Sequence, residues 1–450
     1  MPRPLPENPD LDQLRRQARD RRRAGGTTHA LALRDVARDH GFPSWPALVR
    51  HVGVLEDLRW SSRPDDGLVG LACLRYSSDD SPARRDRAAA LLDRDPGLAA
   101  QDLHTAVVCG RPDLVARLLA EGADPSADGG PDAWAPLMSL AYGRLGTVVP
   151  QHDDDVLACA RLLLDAGADP AAGRCWHGLA TPFTVLTGVL GHGERGPVDQ
   201  PRHPSWRPLA TVLLERGADP NDAQGLYDGQ FEPDDEPLRL LLEHGLGRGD
   251  GGPWRVRLGG PSPAELLTGQ LAWAVTHDLP GRVALLLDHG AVATPDLAAD
   301  AARLGHRAVV DVLAAHGLTL PTLEPSDALV AAVLGGEEVT PASDLAARLA
   351  VERPALLVWA AATGRRDAVR RLVDLGVDVD TLGRGDVPDR TDPWETALHH
   401  AAVRGDGPMV EDLLALGAST SVRDARFGAT AADWADHGGH TDLAARLRDG

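Results

Sequence analysis

Residues 396–421, with the sequence TALHHAAVRGDGPMVEDLLALGASTS, decide the fold of this chain. Thr396 is a favourable N-cap, because its hydroxyl can accept the free backbone N–H of His399 three residues further on. Leu398 and the alanines after it fall on one face of a short helix, and Gly405 ends that helix. The stretch therefore begins with one short, capped helix.

A second short helix follows, and its apolar face is carried by Met409, Val410, Leu413 and Leu414. Gly417 stands where a left-handed C-terminal cap is needed, a conformation that glycine adopts at low cost. Two helices of this length bury too little apolar surface to offset the entropy lost when they order. We therefore expect further copies of the pair on either side.

Such copies recur along the chain. The phrase LHTAVVCG at 103–110 repeats the first half of the pattern, and the phrase LLAEGAD at 118–124 repeats the second half. Further copies of the closing phrase or of the whole pair stand at 163–169, 213–219, 286–290, 297–317 and 357–378.

This pattern resembles the ankyrin repeat, whose units read TPLHxAA, then G-H, then VV..LL..GAD. The resemblance covers most of residues 68–450. It implies an all-α ankyrin-repeat solenoid of about ten helix-turn-helix units with short β-turn fingers. The inner helices and the fingers of such a solenoid line a concave, partner-binding face. By the same resemblance, His104, Thr396 and His399 tie inner helices to their neighbours and take no part in catalysis.

Residues 1–60 lie outside the repeat pattern and are predicted to form an N-terminal helical cap. Two helices are expected at 11–24 and 28–40. The phrase GFPSWPAL at 41–48 resembles one that precedes ankyrin arrays in actinobacterial proteins, and it is expected to lead into a third helix. The predicted role of this cap is to cover the apolar face of the first unit.

Two further divisions are predicted from the regularity of the units. Residues 61–260 are expected to form N-terminal ankyrin units that carry loop insertions, and residues 261–450 to form regular units that end in a polar capping unit. The inserted loops are expected at 146–155 and 191–205.

The charge balance and the missing lysines exclude several function classes. The chain has 450 residues, a formal charge of −20 and no lysine. A Walker A loop, a kinase ATP-binding lysine and a Schiff-base lysine are therefore absent. The acidic balance argues against a nucleic-acid partner and favours basic or polar ones. The arginine run at 15–23 leaves nucleic-acid binding open as an alternative to a solvated helix face.

The cysteines and apolar runs indicate a cytoplasmic protein without a membrane partner, and the absence of lysine and isoleucine indicates a GC-rich bacterial genome. Cys73, Cys109, Cys159 and Cys175 form no CxxC pair and fall at repeat core positions, so we expect buried thiols. The first ten residues have no signal core, and the longest apolar run, 355–362, is far too short to span a bilayer.

Residues 174–260 concentrate aromatic and ionisable side chains in long loops, where function is often placed on a rigid scaffold. The alternative interpretation is that these are ordinary surface loops with a few packed aromatic side chains and no binding function. Trp273 and Trp359 share one inner-helix position, where they either pack between units or anchor a partner. The predicted groove residues are Trp176, His177, His192, Tyr227, Asp228, Phe231, Trp254, Trp273, Trp359 and Trp394.

No catalytic residue, metal site or cofactor is predicted. His244, His289 and His316 share one repeat position at the end of an outer helix, where the helix dipole already favours a cation. No HxxxH, HExxH or CxxC spacing occurs in residues 174–260.

The predicted function is a non-enzymatic scaffold for protein–protein interaction in a bacterial cytoplasm. The alternative is an enzyme or small-molecule-binding protein that uses a pocket between the 174–260 loops and the inner helices. A further alternative is an immunity protein that masks a basic toxin. A deep pocket lined by His177, His192 or Asp228 would favour the second of these hypotheses.

Overall fold

A computed structural model of the chain is mostly helical. It describes residues 3–6, 9, 11–25, 29–49, 51–52, 63–77, 79–176, 180–193, 195–231, 234–388 and 391–449. Among these residues, no helix combines the length with the apolar composition that crossing a bilayer requires.

The N-terminal helices are α1 (Leu11–Gly25), α2 (His29–Asp39) and α3 (residues 45–49). Their buried apolar side chains, among them Leu14 and Leu48, pack on one another in a cluster of their own. The predicted helices are therefore present, but the predicted cover over the first unit is not confirmed.

From residue 64 onward the described helices pack in successive pairs. We call the first helix of each pair inner and the second outer. The pairs are α4 (Pro64–Ala72) with α5 (Pro82–Arg94), α6 (Leu103–Val108) with α7 (Pro112–Ala120), α8 (Pro136–Tyr142) with α9 (Asp153–Asp165), α10 (Val185–Leu190) with α12 (Trp206–Glu215), α13 (Ala223–Gln230) with α14 (Glu236–Glu243), α16 (Pro263–Thr276) with α17 (Pro280–Asp288), α18 (Pro295–Arg303) with α19 (Arg307–Ala315), α20 (Pro325–Leu334) with α21 (Ser343–Glu352), α22 (Leu356–Ala362) with α23 (Arg366–Asp374), α24 (Ala397–Val403) with α25 (Gly407–Ala415), and α26 (Ala431–His437) with α27 (Thr441–Asp449).

Further short elements stand between these helices. Helix α11 (Gly196–Asp199) lies in the predicted 191–205 insertion, and α15 (Gly252–Leu258) precedes α16. Two 3-10 turns, Pro96–Ala100 and Leu145–Thr147, precede α6 and α9. Strands β1 (Gly173–Cys175) and β2 (Pro182–Thr184) form an antiparallel hairpin in which Gly173 faces Thr184.

Side-chain caps and glycines set the helix ends. Capping boxes begin α6, α10, α16, α24 and α26, at Asp102, Thr184, Ser262, Thr396 and Thr430 respectively. After the outer helices, Gly217 and Gly417 have φ values of +102° and +94°, which side chains with a Cβ rarely adopt. In these pairs the sequence itself marks where a helix begins or ends.

The apolar core of the paired helices falls into two clusters. The first runs from Leu68 to Leu313, and the second from Leu304 to Leu447. The change between clusters lies near α18–α20, further along the chain than residue 260. The predicted domain division at 260 stays a prediction.

One core position was predicted wrongly. Leu413 is fully buried, but Leu414 is 37% exposed. Consecutive residues are about 100° apart around a helix, so both leucines cannot face the same neighbouring helix. Leu413 is the core residue of α25, and Leu414 lies at the edge of its apolar face.

Candidate functional site

A cavity of about 510 Å³ lies between the β1–β2 hairpin, the start of the 191–205 insertion, and helices α1 and α13. It brings together Trp176, Tyr227 and Asp228, three of the predicted groove residues. His177 lies outside the described residues. His192 is half-buried and stands between Gly191 and Gly193, the second of which also lines the cavity.

One wall of this cavity is aromatic. The Trp176 ring stacks on Phe183 with their centroids 5.9 Å apart, and Phe183 in turn lies 5.5 Å from Tyr76. The Trp176 Nε1–H donates to the carbonyl of Arg75 at 3.1 Å. The hairpin is therefore tied to the loop between α4 and α5, and a flat apolar surface faces the cavity.

Tyr76 is held in an unusual backbone conformation, with φ at +53°. This left-handed region is unfavourable for a bulky residue, and such strain persists where surrounding contacts impose it. The Tyr76 hydroxyl donates to the carbonyl of Gly191 at 3.1 Å. Burial, followed by the nearby charge of Asp228, raises the pKa of Tyr76 far above its usual value. The hydroxyl therefore stays a neutral donor.

Asp228 supplies a buried carboxyl group to the cavity. Its side chain belongs to α13, it is 6% exposed, and its Oδ1 accepts from Gln224 Nε2 at 2.8 Å. Such a group next to aromatic walls is suited to holding a cationic or hydrogen-bond-donating group.

A row of aromatic rings continues from the cavity along the inner helices. Tyr227 meets Phe231 edge-on at 5.2 Å, and Phe231 meets Trp273 edge-on at 5.9 Å. Trp273 stacks on His277 at 3.8 Å, and burial lowers the pKa of His277, so that ring is neutral near pH 7. Tyr227 and Phe231 are 41% and 56% exposed. We call the surface formed by Tyr76, Trp176, Tyr227, Asp228, Phe231 and Trp273 the groove.

Trp359 cannot anchor a partner in this structure. Its side chain is 0% exposed, and its ring lies 5.9 Å from His277 inside the row. The two tryptophans share one inner-helix position, but the side chain is fully buried at Trp359 on α22 and partly exposed at Trp273 on α16. Of the two interpretations from the sequence, packing between units holds for Trp359.

Trp254 and Trp394 lie apart from the cavity. Trp254 Nε1 donates to the carbonyl of Ala171 at 2.8 Å and carries the Arg257 guanidinium over its ring at 4.9 Å. Trp394 packs on Phe427 and Trp434, with centroids 5.8 and 5.0 Å away. Trp254 therefore holds α15 against the loop before β1, and Trp394 packs between the last two helical pairs.

The cavity is also lined by residues that are not among the predicted groove residues, including Tyr76, Phe183, Arg16 and Arg19. Tyr76 and Phe183 stand in otherwise ordinary repeat phrases, so no local pattern marks them. The two arginines belong to the run at 15–23, for which the sequence leaves a solvated helix face and nucleic-acid binding as alternatives. Their position depends on contacts between distant parts of the chain.

A comparison with known families decides the nature of one region. A family model described as ankyrin repeats (many copies) matches residues 357–414, which include α22 to α25. Residues 357–414 are ankyrin repeats. No curated protein matched the chain.

In these ankyrin repeats the threonine and histidine are structural. Thr396 Oγ1 and His399 Nδ1 are 2.7 Å apart, and His399 Nε2 lies 3.1 Å from the carbonyl of Ala429 at the next pair. His104 makes the corresponding link to Ser139 Oγ at 3.1 Å. Both histidines connect successive pairs, as the resemblance implied.

The row of histidines at the ends of outer helices is also explained without a metal. The Nδ1 atoms of His244, His289 and His316 each lie 2.8 to 2.9 Å from the carbonyl four residues earlier. Each ring therefore bonds a carbonyl in the last turn of its own helix. Within the part of the chain that the structure describes, no group of three or more potential ligand side chains could hold a metal ion.

We expect a single fast-reacting thiol in the native protein. Cys175 is exposed on β1, contrary to the predicted core position, because its hairpin lies outside the helical layers. Burial raises the pKa of Cys73, Cys109 and Cys159 to about 12. Because the thiolate is the nucleophile, the thiolate fraction of each of these three cysteines at pH 8 is roughly a thousandfold lower than that of a thiol with the ordinary pKa.

A thiol-disulfide dye at pH 8 measures this directly. One of the four cysteines should react within the fast phase, and Cys175→Ser should abolish that phase without changing the thermal melt. Reaction of a second thiol at the same rate in the folded protein contradicts the burial of the other three.

Proposed function

We propose that the chain is a non-enzymatic ankyrin-repeat scaffold whose groove binds a protein partner in a bacterial cytoplasm. The proposal extends the ankyrin assignment from residues 357–414 to all the described helical pairs between residues 64 and 449, one more than the ten expected. Support comes from the packing: inner helices contact the next inner helix at α4–α6, α6–α8, α8–α10, α10–α13, α13–α16, α16–α18, α18–α20, α22–α24 and α24–α26.

The observation that carries the proposal is the open aromatic row beside a buried carboxyl group. Tyr227 on α13 and Phe231, which directly follows that helix, expose large apolar surfaces next to Asp228 and to the partly open Trp273. Exposed aromatic side chains grouped around a deep polar site are typical of interface hot spots. The partner that fits is a basic segment, because the chain carries a formal charge of −20.

Paired alanine variants test which surface binds. Tyr227→Ala with Phe231→Ala should lower the amount of each specific partner captured from a bacterial lysate at least tenfold, because a true hot spot contributes roughly 2 kcal/mol or more. Arg371→Ala with Glu411→Ala is the matched control, since both residues stand on outer helices. Quantitative mass spectrometry of the captured proteins compares the two. Loss of capture in the outer-helix pair alone, with the groove pair unaffected, contradicts the proposal.

A second candidate function is favoured by the size of the cavity. At about 510 Å³ it falls in the range of small-molecule sites, roughly 300 to 1,000 Å³. A ligand with an aromatic ring and an amine would match Trp176, Phe183 and Asp228. Native mass spectrometry of the purified protein discriminates the two functions, because a bound small molecule shifts the intact mass and Asp228→Asn should remove that shift.

A further inference from the structure

Helix α1 borders the cavity of the groove, although the two are far apart in the sequence. Arg16 and Arg19 line the same cavity as Tyr227 and Asp228. Six residues after Arg16, the Arg22 Nη1 donates to the carbonyl of Arg426 at 2.9 Å, across a separation of 404 positions. One helix therefore borders the cavity beside α13 and is also bonded to the loop before α26.

The apolar face of α1 is already used by the other N-terminal helices. Leu11, Leu14 and Ala18 are 6%, 2% and 0% exposed and belong to the cluster formed with α2 and α3. Arg16 and Arg19 point away from this apolar face, about 140° and 80° around the helix from Leu11. What α1 presents to the cavity is therefore a pair of guanidinium groups.

The charges on the two sides are complementary. Helix α1 contains six arginines and two aspartates in an otherwise strongly acidic chain. Asp228 lines the same cavity as Arg16 and Arg19, and a third arginine, Arg195, also lines it. At the other end, a hydrogen bond from Arg426, with charges that include that of Arg22, lowers the pKa of Asp392. An acidic side chain therefore stands near arginines of α1 at each of these two places.

We propose that α1 is an intramolecular ligand of the groove, and that the partner that binds in trans is an arginine-rich helical segment that must displace it. This inference rests on the proposed protein-binding function and names both its partner class and its regulation. A tethered segment of this kind acts at an effective concentration in the millimolar range, so it weakens the apparent affinity of every competitor by the fraction of open molecules.

The test uses the full chain and a labelled peptide. The probe is a fluorescent peptide with the sequence of residues 9–26, which contains the whole of α1. The variant Arg16→Glu with Arg19→Glu should release α1, because its two new carboxylates repel the carboxylate of Asp228. Arg94→Glu with Arg161→Glu makes the same charge change at exposed positions on outer helices and is the matched control.

Fluorescence anisotropy should show the released variant binding the peptide at least tenfold more tightly than the wild type, with the control variant close to the wild type. The affinity should fall as salt rises, because the contacts are ionic. A peptide with glutamate in place of Arg16, Arg19 and Arg22 should not bind. Arg16→Gln with Arg19→Gln, which keeps helix propensity, is the second variant, and circular dichroism checks that both variants stay folded.

Equal peptide affinity in the wild type and in both released variants overturns the competition. Failure of the peptide to bind any of them overturns the arginine-rich partner class. Neither result contradicts the proposed function. That function fails only if the variant with both Tyr227→Ala and Phe231→Ala captures the same partners as the wild type. The two ideas are therefore separated by different measurements.

Discussion

Replacing Leu413 by Asp is expected to unfold the last helical pairs of the chain. Leu413 is 0% exposed and belongs to the core cluster shared by α22 to α27. The substitution places a carboxylate among apolar side chains and also removes a buried leucine, so the free energy of unfolding should fall by about 4 kcal/mol or more. Hydrogen exchange across residues 397–449 should speed up greatly, and the thermal melt should gain an early transition.

Leu414→Asp is the matched control one residue away. Since Leu414 is 37% exposed, its new carboxylate can reach water, and we expect a loss of about 1 kcal/mol or less. Equal destabilisation by the two substitutions contradicts the helical phase of α25 and the placement of its core face.

Arg144→Met is the second large effect, and it connects stability to the groove. Arg144 is 0% exposed and donates only to carbonyls: Nε to Pro201 at 2.7 Å, Nη2 to Gly188 at 2.7 Å, and Nη1 to Ala141 and Gly143 at 2.9 Å. Burial lowers the pKa of Arg144, yet the four carbonyl oxygens satisfy its donors. This guanidinium holds the 191–205 insertion onto α8 and α10.

Methionine keeps much of the volume of Arg144 but leaves those buried carbonyls without a donor. Each orphaned group costs roughly 1 to 3 kcal/mol before relaxation, so we expect a net loss of about 3 kcal/mol. The insertion should also detach locally, with faster hydrogen exchange at 191–205. Arg161→Met, on the exposed side of α9, controls for loss of an arginine. Unchanged exchange in the insertion contradicts the bridging role of Arg144.

Most of the helices could be predicted because their signals are local. Thr396 caps α24 as its hydroxyl predicts, and Gly417 ends α25 in the left-handed conformation. Periodicity alone could not decide between Leu413 and Leu414, since adjacent leucines on a short helix both lie near its apolar face. Only the direction of the neighbouring helix makes that choice.

The site was predictable only in part. Trp176, Tyr227 and Asp228 meet because successive units bring the loops of one side together, which the repeat pattern implies. The burial of Trp359 depends on how closely α16 and α22 approach, which no single unit encodes. The contact between Arg22 and Arg426 joins the two ends of the chain, so its cause lies outside any window of sequence.

The central claim is that the groove is the binding surface and takes an arginine-rich helix. A photo-crosslinking residue in place of Tyr227 tests it most directly. The control is the same chain with the crosslinking residue in place of Arg161, on the outer helix α9. Crosslinks from position 227 should map to residues 13–22 of the same chain. In the Arg16→Glu, Arg19→Glu variant, added peptide of residues 9–26 should be crosslinked in place of that segment. Position 161 should give neither product. Crosslinks to the peptide from position 161 but not from position 227 contradict the account.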